Sequence, residues 1–225
     1  MNRIALHTRA LLFFLVGLAV VLTGFPGSGR CATLTPLELA QKLQARYEET
    51  KTMTADFKQS TSVPMSTRKR LGAGKVVISK PGRIRWDYQK PDKQVLISDG
   101  KKVSMFIANS AQMIVQPVSE YINSDVTYAF FVGTGNIVRD FKVLPPERPG
   151  DASLKAIKLV PKAAHPQVDY LHAWIDENFM VRRLEIVDHF GSITDLAFSN
   201  ISRNEPVAPE VFVFTPPLGT EIIEQ

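Results

Sequence analysis

The 225-residue chain predicts a mainly β protein with some α, built on an antiparallel sheet that curls. Three observations predict it. Period-two hydrophobic segments recur from residue 53 onward without the strand–helix–strand alternation of a parallel sheet. One of them, residues 78–100, is an amphipathic hairpin that spends its large aromatics on one side. Ahead of the strands stands one well-marked helix, whose narrow apolar stripe is of the kind that packs on a sheet.

Taken in order, the first segment is a targeting signal. Arg3 and Arg9 precede an uncharged apolar run at residues 10–22, and Gly27, Ser28, Gly29 and Ala32 follow, the layout of a cleaved secretory signal. The run falls well short of the ~20 residues that span a bilayer. Cleavage is expected between Cys31 and Ala32, giving residues 1–31 as signal peptide and 32–225 as one domain. An uncleaved anchor and lipidation of Cys31 are the alternatives. Loss of Arg3, Arg9 and Arg30 with no acid lowers the net charge from +5 to +2, a balance that does not point to nucleic acid. Cys31 is the sole cysteine, so the exported body has no disulfide and relies on one core.

The helix begins at Thr35, an N-cap followed by Pro36 at the first helical position and by Glu38 to complete a capping box, with Leu34 stapled onto Leu39. Leu39, Leu43 and Tyr47 form its apolar stripe. Next, Met53, Ala55 and Phe57 alternate with Thr54, Asp56 and Lys58, a strand pattern. Residues 60–70 are polar and basic and predict a mobile hairpin loop. Strands follow at residues 75–79, 103–107 and 113–115, with a turn at Asn109-Ser110. Within the hairpin, Ile84, Trp86 and Tyr88 alternate with Arg83, Arg85 and Asp87, and Val95 and Ile97 alternate with Gln94 and Ser98, giving a greasy face. Residues 123–133 predict a short helix carrying Val126, Phe130 and Phe131 and stopped by Gly133, either a crossover helix or a lid. Residues 145–150 read as a loop, and residues 170–175, 181–188 and 192–201 as a three-stranded meander.

The catalytic inventory is thin. No GxSxG, HExxH or CxxC occurs, and Gly72-Ala73-Gly74-Lys75 lacks the early Gly and the hydroxyl residue of a phosphate-binding loop. His165, His172 and His189 fall on a loop, a strand and a turn without metal-ligand spacing. A non-enzymatic binding protein without metal or cofactor is the expectation, and a lipid hydrolase would need a nucleophile–base pair that the sequence does not offer.

The series Pro81-Gly82-Arg83-Ile84-Arg85-Trp86, Pro91, Ser98-Asp99-Gly100-Lys101, Gln112 and Phe212-Val213-Phe214-Thr215-Pro216-Pro217-Leu218-Gly219, with Met53-Thr54-Ala55-Asp56-Phe57-Lys58-Gln59 before it, resembles the LolA family of periplasmic outer-membrane lipoprotein carriers. The resemblance implies an incomplete antiparallel β-barrel, a strongly curved sheet with helices lidding a hydrophobic cavity for lipoprotein acyl chains. It implies a monomeric periplasmic carrier that takes lipoproteins from an inner-membrane ABC transporter and passes them to an outer-membrane receptor, LolB. On this sequence the cavity wall would include Phe57, Ile84, Trp86, Tyr88 and Phe106, the lid Val126, Phe130 and Phe131, and the plug Leu39, Leu43 and Tyr47. Lys80 stands where the best-known members have Arg, and would supply a charge at the mouth between barrel and lid. Two further departures are Tyr128 after Thr127, where a Pro is common, and Ser104-Met105-Phe106 in place of an aromatic pair. A related barrel that senses mislocalised lipoproteins and regulates a stress-response partner is the alternative function.

Overall fold

A computed structural model describes residues 34–124, 131, 135–148 and 153–225. The segment expected to be a signal peptide and the candidate lid residues Val126 and Phe130 lie outside the described residues. Helix α1 (Pro36–Glu48) starts as its sequence dictates: Glu38 N–H donates to Thr35 Oγ1 at 3.2 Å, and Thr35 N–H donates back to Glu38 Oε2 at 2.8 Å. The strands are β1 (Thr52–Ser62), β2 (Arg70–Ser79), β3 (Arg83–Lys90), β4 (Gln94–Asp99), β5 (Lys102–Ile107), β6 (Gln112–Pro117), β7 (Phe141–Leu144), β8 (Lys155–Pro161), β9 (Tyr170–Ile175), β10 (Val181–Val187), β11 (Ile193–Arg203) and β12 (Glu221–Glu224). Short helices α2 (Val118–Ser124) and α3 (Ile137–Asp140) interrupt them among the described residues.

All twelve strands join one sheet in the order β12-β6-β5-β4-β3-β2-β1-β11-β10-β9-β8-β7. Every pairing is antiparallel except β12 with β6. The sheet curls hard. Trp86 on β3 and Phe198 on β11 are separated by β2 and β1, about 14 Å across a flat sheet, yet their ring centroids lie 6.1 Å apart. The core sits inside this curve, where Met53, Ala55, Phe57, Val76, Ile84 and Leu196 are buried. Helix α1 closes one side, lying over β7 and β8 beside α3.

Register corrects the reading of the hairpin. Trp86 pairs with Leu96 and Ile84 with Ser98, so Leu96 joins the concave face while Val95 and Ile97 pair with Asp87 and Arg85 on the convex one. Phe106 pairs with Val95 and Met113 and is likewise convex, which removes it from the expected cavity wall. The convex face of β3–β6 has its own apolar cover. Phe214 packs on Phe106 at 5.3 Å between centroids, the Arg83 guanidinium lies 5.3 Å over Phe212, and Arg85 Nη1 donates to the Val211 carbonyl at 3.0 Å. With both faces apolar, alternation does not say which one faces the cavity.

Other expectations shift by their surroundings. The 60–70 loop shortens to residues 63–69 because Thr61 and Ser62 still pair with Thr194 and Ile193 on β11. Of the helix expected over residues 123–133, only Phe131 and the first two positions are described: Phe131 is helical, and residues 123 and 124 are the end of α2, a helix that was not expected. Strands β7, β8 and β12 and helix α3 were not expected. Tyr170–Ile175 is buried on both faces, the convex one holding Glu185, which meets His172 Nδ1 at 3.1 Å and accepts from Arg148 Nη1 at 3.3 Å.

The Pro81-Gly82 and Ser98–Lys101 motifs meet in space. Gly82, at φ +76°, packs so close to Gly100 that a Cβ on it would come within 2.9 Å of the Gly100 Cα. Buried Ser98 ties the two turns, donating to the Gly82 carbonyl at 3.0 Å and accepting from Gly100 N–H at 3.1 Å. The Lys102 and Lys101 amides donate to Asp99 and hold its carboxyl below the usual carboxylate range.

Candidate functional site

A cavity of about 490 Å³ opens on the concave face between β3–β5 and β10–β11. Its apolar wall is Ile84, Trp86, Leu96, Met105, Ile186 and Leu196. Gln59, Thr61, Arg70, Asp188 and Thr194 form a polar rim where β1, β2, β10 and β11 end. Tyr121 of α2 and Val168 complete the enclosure.

The glycines before β3 shape the wall. A Cβ on Gly74 would fall 1.8 Å from the Asp87 carbonyl oxygen, and one on Gly72 would fall 3.1 Å from the Tyr88 ring. The Gly72-Ala73-Gly74 run is therefore a seat for β3, bulged between Ala73 and Gly74. On it the Tyr88 ring is anchored by its hydroxyl, which donates to Gln59 Oε1 at 2.8 Å.

The residues expected from sequence divide by position. Ile84, Trp86 and Tyr88 line the cavity. Phe57 is buried behind them, its centroid 5.0 Å from Trp86 and 4.9 Å from Tyr88. Phe131 is also buried and fills the curve between α1, β3 and β11, 6.0 Å from Tyr47, 6.0 Å from Trp86 and 5.6 Å from Phe198. Leu39, Leu43 and Tyr47 are buried beneath α1 and are not among the cavity's lining residues. Burial pushes the Tyr47 phenol well above its ordinary pKa.

Lys80 is not at the cavity rim. It follows the end of β2 opposite Arg70 and fastens the helix: its Nζ donates to the Tyr47 carbonyl, at the last turn of α1, and lies 5.8 Å over the Tyr47 ring. The cation at the rim is Arg70, which sequence reading placed in a loop. Leu96, Met105 and Leu196 were missed too. Leu96 pairs with Trp86 on β3, and that register was the signal that would have found it.

His189 Nε2 lies 2.8 Å from the His165 carbonyl and its Nδ1 3.8 Å from Asp169, while Thr194 Oγ1 lies 3.1 Å from Thr61 Oγ1. Among the described residues no group of three or more His, Cys, Asp or Glu could hold a metal. Trp86 Nε1 is buried without an acceptor among the described residues, leaving a donor within the apolar wall.

The family model for outer membrane lipoprotein carrier protein LolA matches residues 48–215. The chain is 31% identical over 185 residues to the outer-membrane lipoprotein carrier protein of Bordetella pertussis, covering 82% of this chain and 85% of that one. To the protein of the same description from Bordetella avium it is 30% identical over 184 residues, covering 81% and 86%. The fold also resembles that of an uncharacterized conserved protein from Thermus thermophilus, with a TM-score of 0.52 at 11% identity, over 84% of this chain and 98% of that one.

Proposed function

Because the chain belongs to the LolA family of outer membrane lipoprotein carriers, we propose that it is a periplasmic carrier whose concave cavity shields a lipoprotein acyl chain from water. The observation that carries the reading is the cavity itself. At about 490 Å³ it falls within the ~300–1,000 Å³ range of ligand pockets, and its apolar wall suits an acyl chain, for example one of roughly sixteen carbons. Each methylene taken out of water contributes about 0.8 kcal/mol, so such a chain carries roughly 13 kcal/mol that opposes its exposure in an aqueous compartment.

Affinity has to be held below that figure for release, and Phe131 supplies a means. Its ring occupies apolar surface beside Trp86 that a deeper ligand would need, so part of the gain on filling is offset by lost ring contacts. In this reading cargo arrives from an inner-membrane ABC transporter and leaves to an outer-membrane receptor of the LolB kind, and direction comes from those partners.

Inner-membrane vesicles bearing a lipoprotein and its releasing transporter test the proposal when mixed with the protein and ATP. A soluble one-to-one complex of the protein with lipoprotein is the expected product. Lipoprotein that stays in the vesicle pellet, or is released equally without the protein, overturns it.

A further inference from the structure

Two turns meet at the polar end of the cavity. The β1–β2 tip, residues 63–69, lies against the β10–β11 turn, such that a Cβ on Gly191 would stand 3.4 Å from Pro64 Cγ. Arg70 and Phe190, one from each side, both line the cavity. The solvent side of this rim is unusually apolar: Met65 and Phe190 are 107% and 87% exposed, and Leu71 and Val63 are 64% and 42% exposed. Single exposed apolar residues are ordinary, but four on these two turns and the adjoining start of β2, at the edge of an apolar cavity, form a patch.

The same tip is strongly basic. Arg68, Lys69 and Arg70 follow Met65 after Ser66 and Thr67, and residues 57–86 contain no acid at all. None of the three is in an ion pair among the described residues. The acids of the facing side are engaged locally: Asp188 Oδ1 accepts from the Phe190 and Ser192 amides at 2.8 Å each, and Asp169 faces His189. Protruding apolar side chains backed by cations fit a boundary that is hydrocarbon inside and anionic outside, which is the surface of a bilayer containing acidic phospholipid.

We propose that this rim is a membrane-docking edge, with Met65, Phe190, Val63 and Leu71 entering the headgroup–acyl boundary while Arg68, Lys69 and Arg70 meet lipid phosphates. Docked this way, the cavity mouth faces the bilayer, so an acyl chain moves between membrane and cavity without crossing bulk water. The purpose of the contact rests on the acyl-carrier reading; the contact itself needs no cargo.

The test is co-sedimentation of residues 32–225, whose described part forms one compact unit, with vesicles of phosphatidylethanolamine and phosphatidylglycerol. Expected is binding that exceeds that to phosphatidylcholine vesicles and weakens as salt rises from about 50 to about 500 mM. Met65→Asp, and separately Arg68→Glu with Lys69→Glu, should each lower the partition coefficient by about tenfold or more. None of these positions lines the cavity, and uptake of a fluorescent fatty acid should stay within about twofold of wild type, as ΔΔG at exposed sites is small. Failure to bind either vesicle, equal binding to both, or wild-type binding by the variants overturns the docking edge; an acidic protein partner for the rim would give the first of these results. Vesicle binding without fatty-acid uptake would instead overturn the carrier reading and leave the docking edge standing.

Discussion

Phe131 meets Trp86 edge-on inside the curled sheet, with centroids 6.0 Å apart and ring planes inclined at 66°. One ring belongs to a wall strand and the other to the segment between α2 and α3. Phe131 thereby covers apolar surface on both Trp86 and Phe198, and on the proposed carrier reading that is surface for which a deeper acyl chain would compete.

Phe131→Ala should therefore separate stability from affinity. Removing a buried Phe costs about 3 to 5 kcal/mol, so the apo variant should unfold at markedly lower denaturant. The same change enlarges the apolar space and removes the competing ring, so a fluorescent fatty acid should bind it at least about tenfold more tightly, since ~1.4 kcal/mol of competition is tenfold in Kd. Equal or weaker binding in a folded variant would show that the ring does not compete with ligand.

Trp86 offers a direct optical readout. The chain has two tryptophans, Trp86 in the cavity wall and Trp174 buried in β9. In a Trp174→Phe background, a saturated acyl chain entering the cavity should shift Trp86 emission to the blue and protect it from acrylamide. Replacing Trp86 by Phe should cost about 1 to 2 kcal/mol, less than a typical Trp truncation of about 3 to 5, because it also removes a buried indole N–H that has no acceptor among the described residues. An unchanged spectrum at saturating ligand would place the chain elsewhere.

How much of this was legible depended on whether the signal was local. The capping box of α1 and the period of β1, β3 and β9–β11 are set by neighbouring residues and read directly. Which face of β4 and β5 points inward is set by the register across the β3–β4 turn, and the apolar C-terminal cover on the outer face makes Ile97 and Phe106 as buried as cavity residues. Alternation is blind to that choice, so it offered no check on Phe106, which the family resemblance places in the wall, and no pointer to Leu96 and Met105. Strands β7 and β8 carry lysines at positions 142, 155 and 158, which hid their period, and β12 is a short strand pairing parallel at an edge. The lysine expected at the mouth holds a helix end instead, a long-range contact without a local signature.

Gly74→Ala should be among the most damaging single-methyl changes in the protein. The added carbon would overlap the Asp87 carbonyl oxygen at 1.8 Å and touch Phe57 at 3.1 Å, so β2 and β3 have to part at the bulge beneath Tyr88. A loss of about 3 kcal/mol is expected, at the upper end for overpacking, together with weaker acyl-probe binding because the wall shifts with β3. Gly219→Ala, at a position with open space around it but φ +84°, serves as the comparison and should cost only about 1 kcal/mol. Similar melting of the two variants would mean that the Gly74 seat yields without moving the wall.

Lys80 makes a prediction in which the sign of a pH dependence discriminates. Its ammonium is half-buried, and desolvation lowers its pKa from the ordinary lysine value while Glu48 only partly opposes this. A lysine depressed in the folded state binds its proton less tightly there than in the unfolded chain, so folding is penalised while the group is charged in both states. That penalty is relieved as pH rises from the folded pKa toward the unfolded value near 10.4. Wild type should thus gain stability relative to Lys80→Met over that alkaline window, measured by urea melts of both proteins so that other ionisations cancel. At neutral pH Lys80→Met should still be the less stable by about 1 kcal/mol, since the Tyr47 carbonyl at the end of α1 loses its donor and the helix end its cation. Acyl-probe affinity should change little, because Lys80 does not line the cavity and stands at the far end of β2 from Arg70 on its rim. A large change in uptake with unaltered stability would return Lys80 to the mouth.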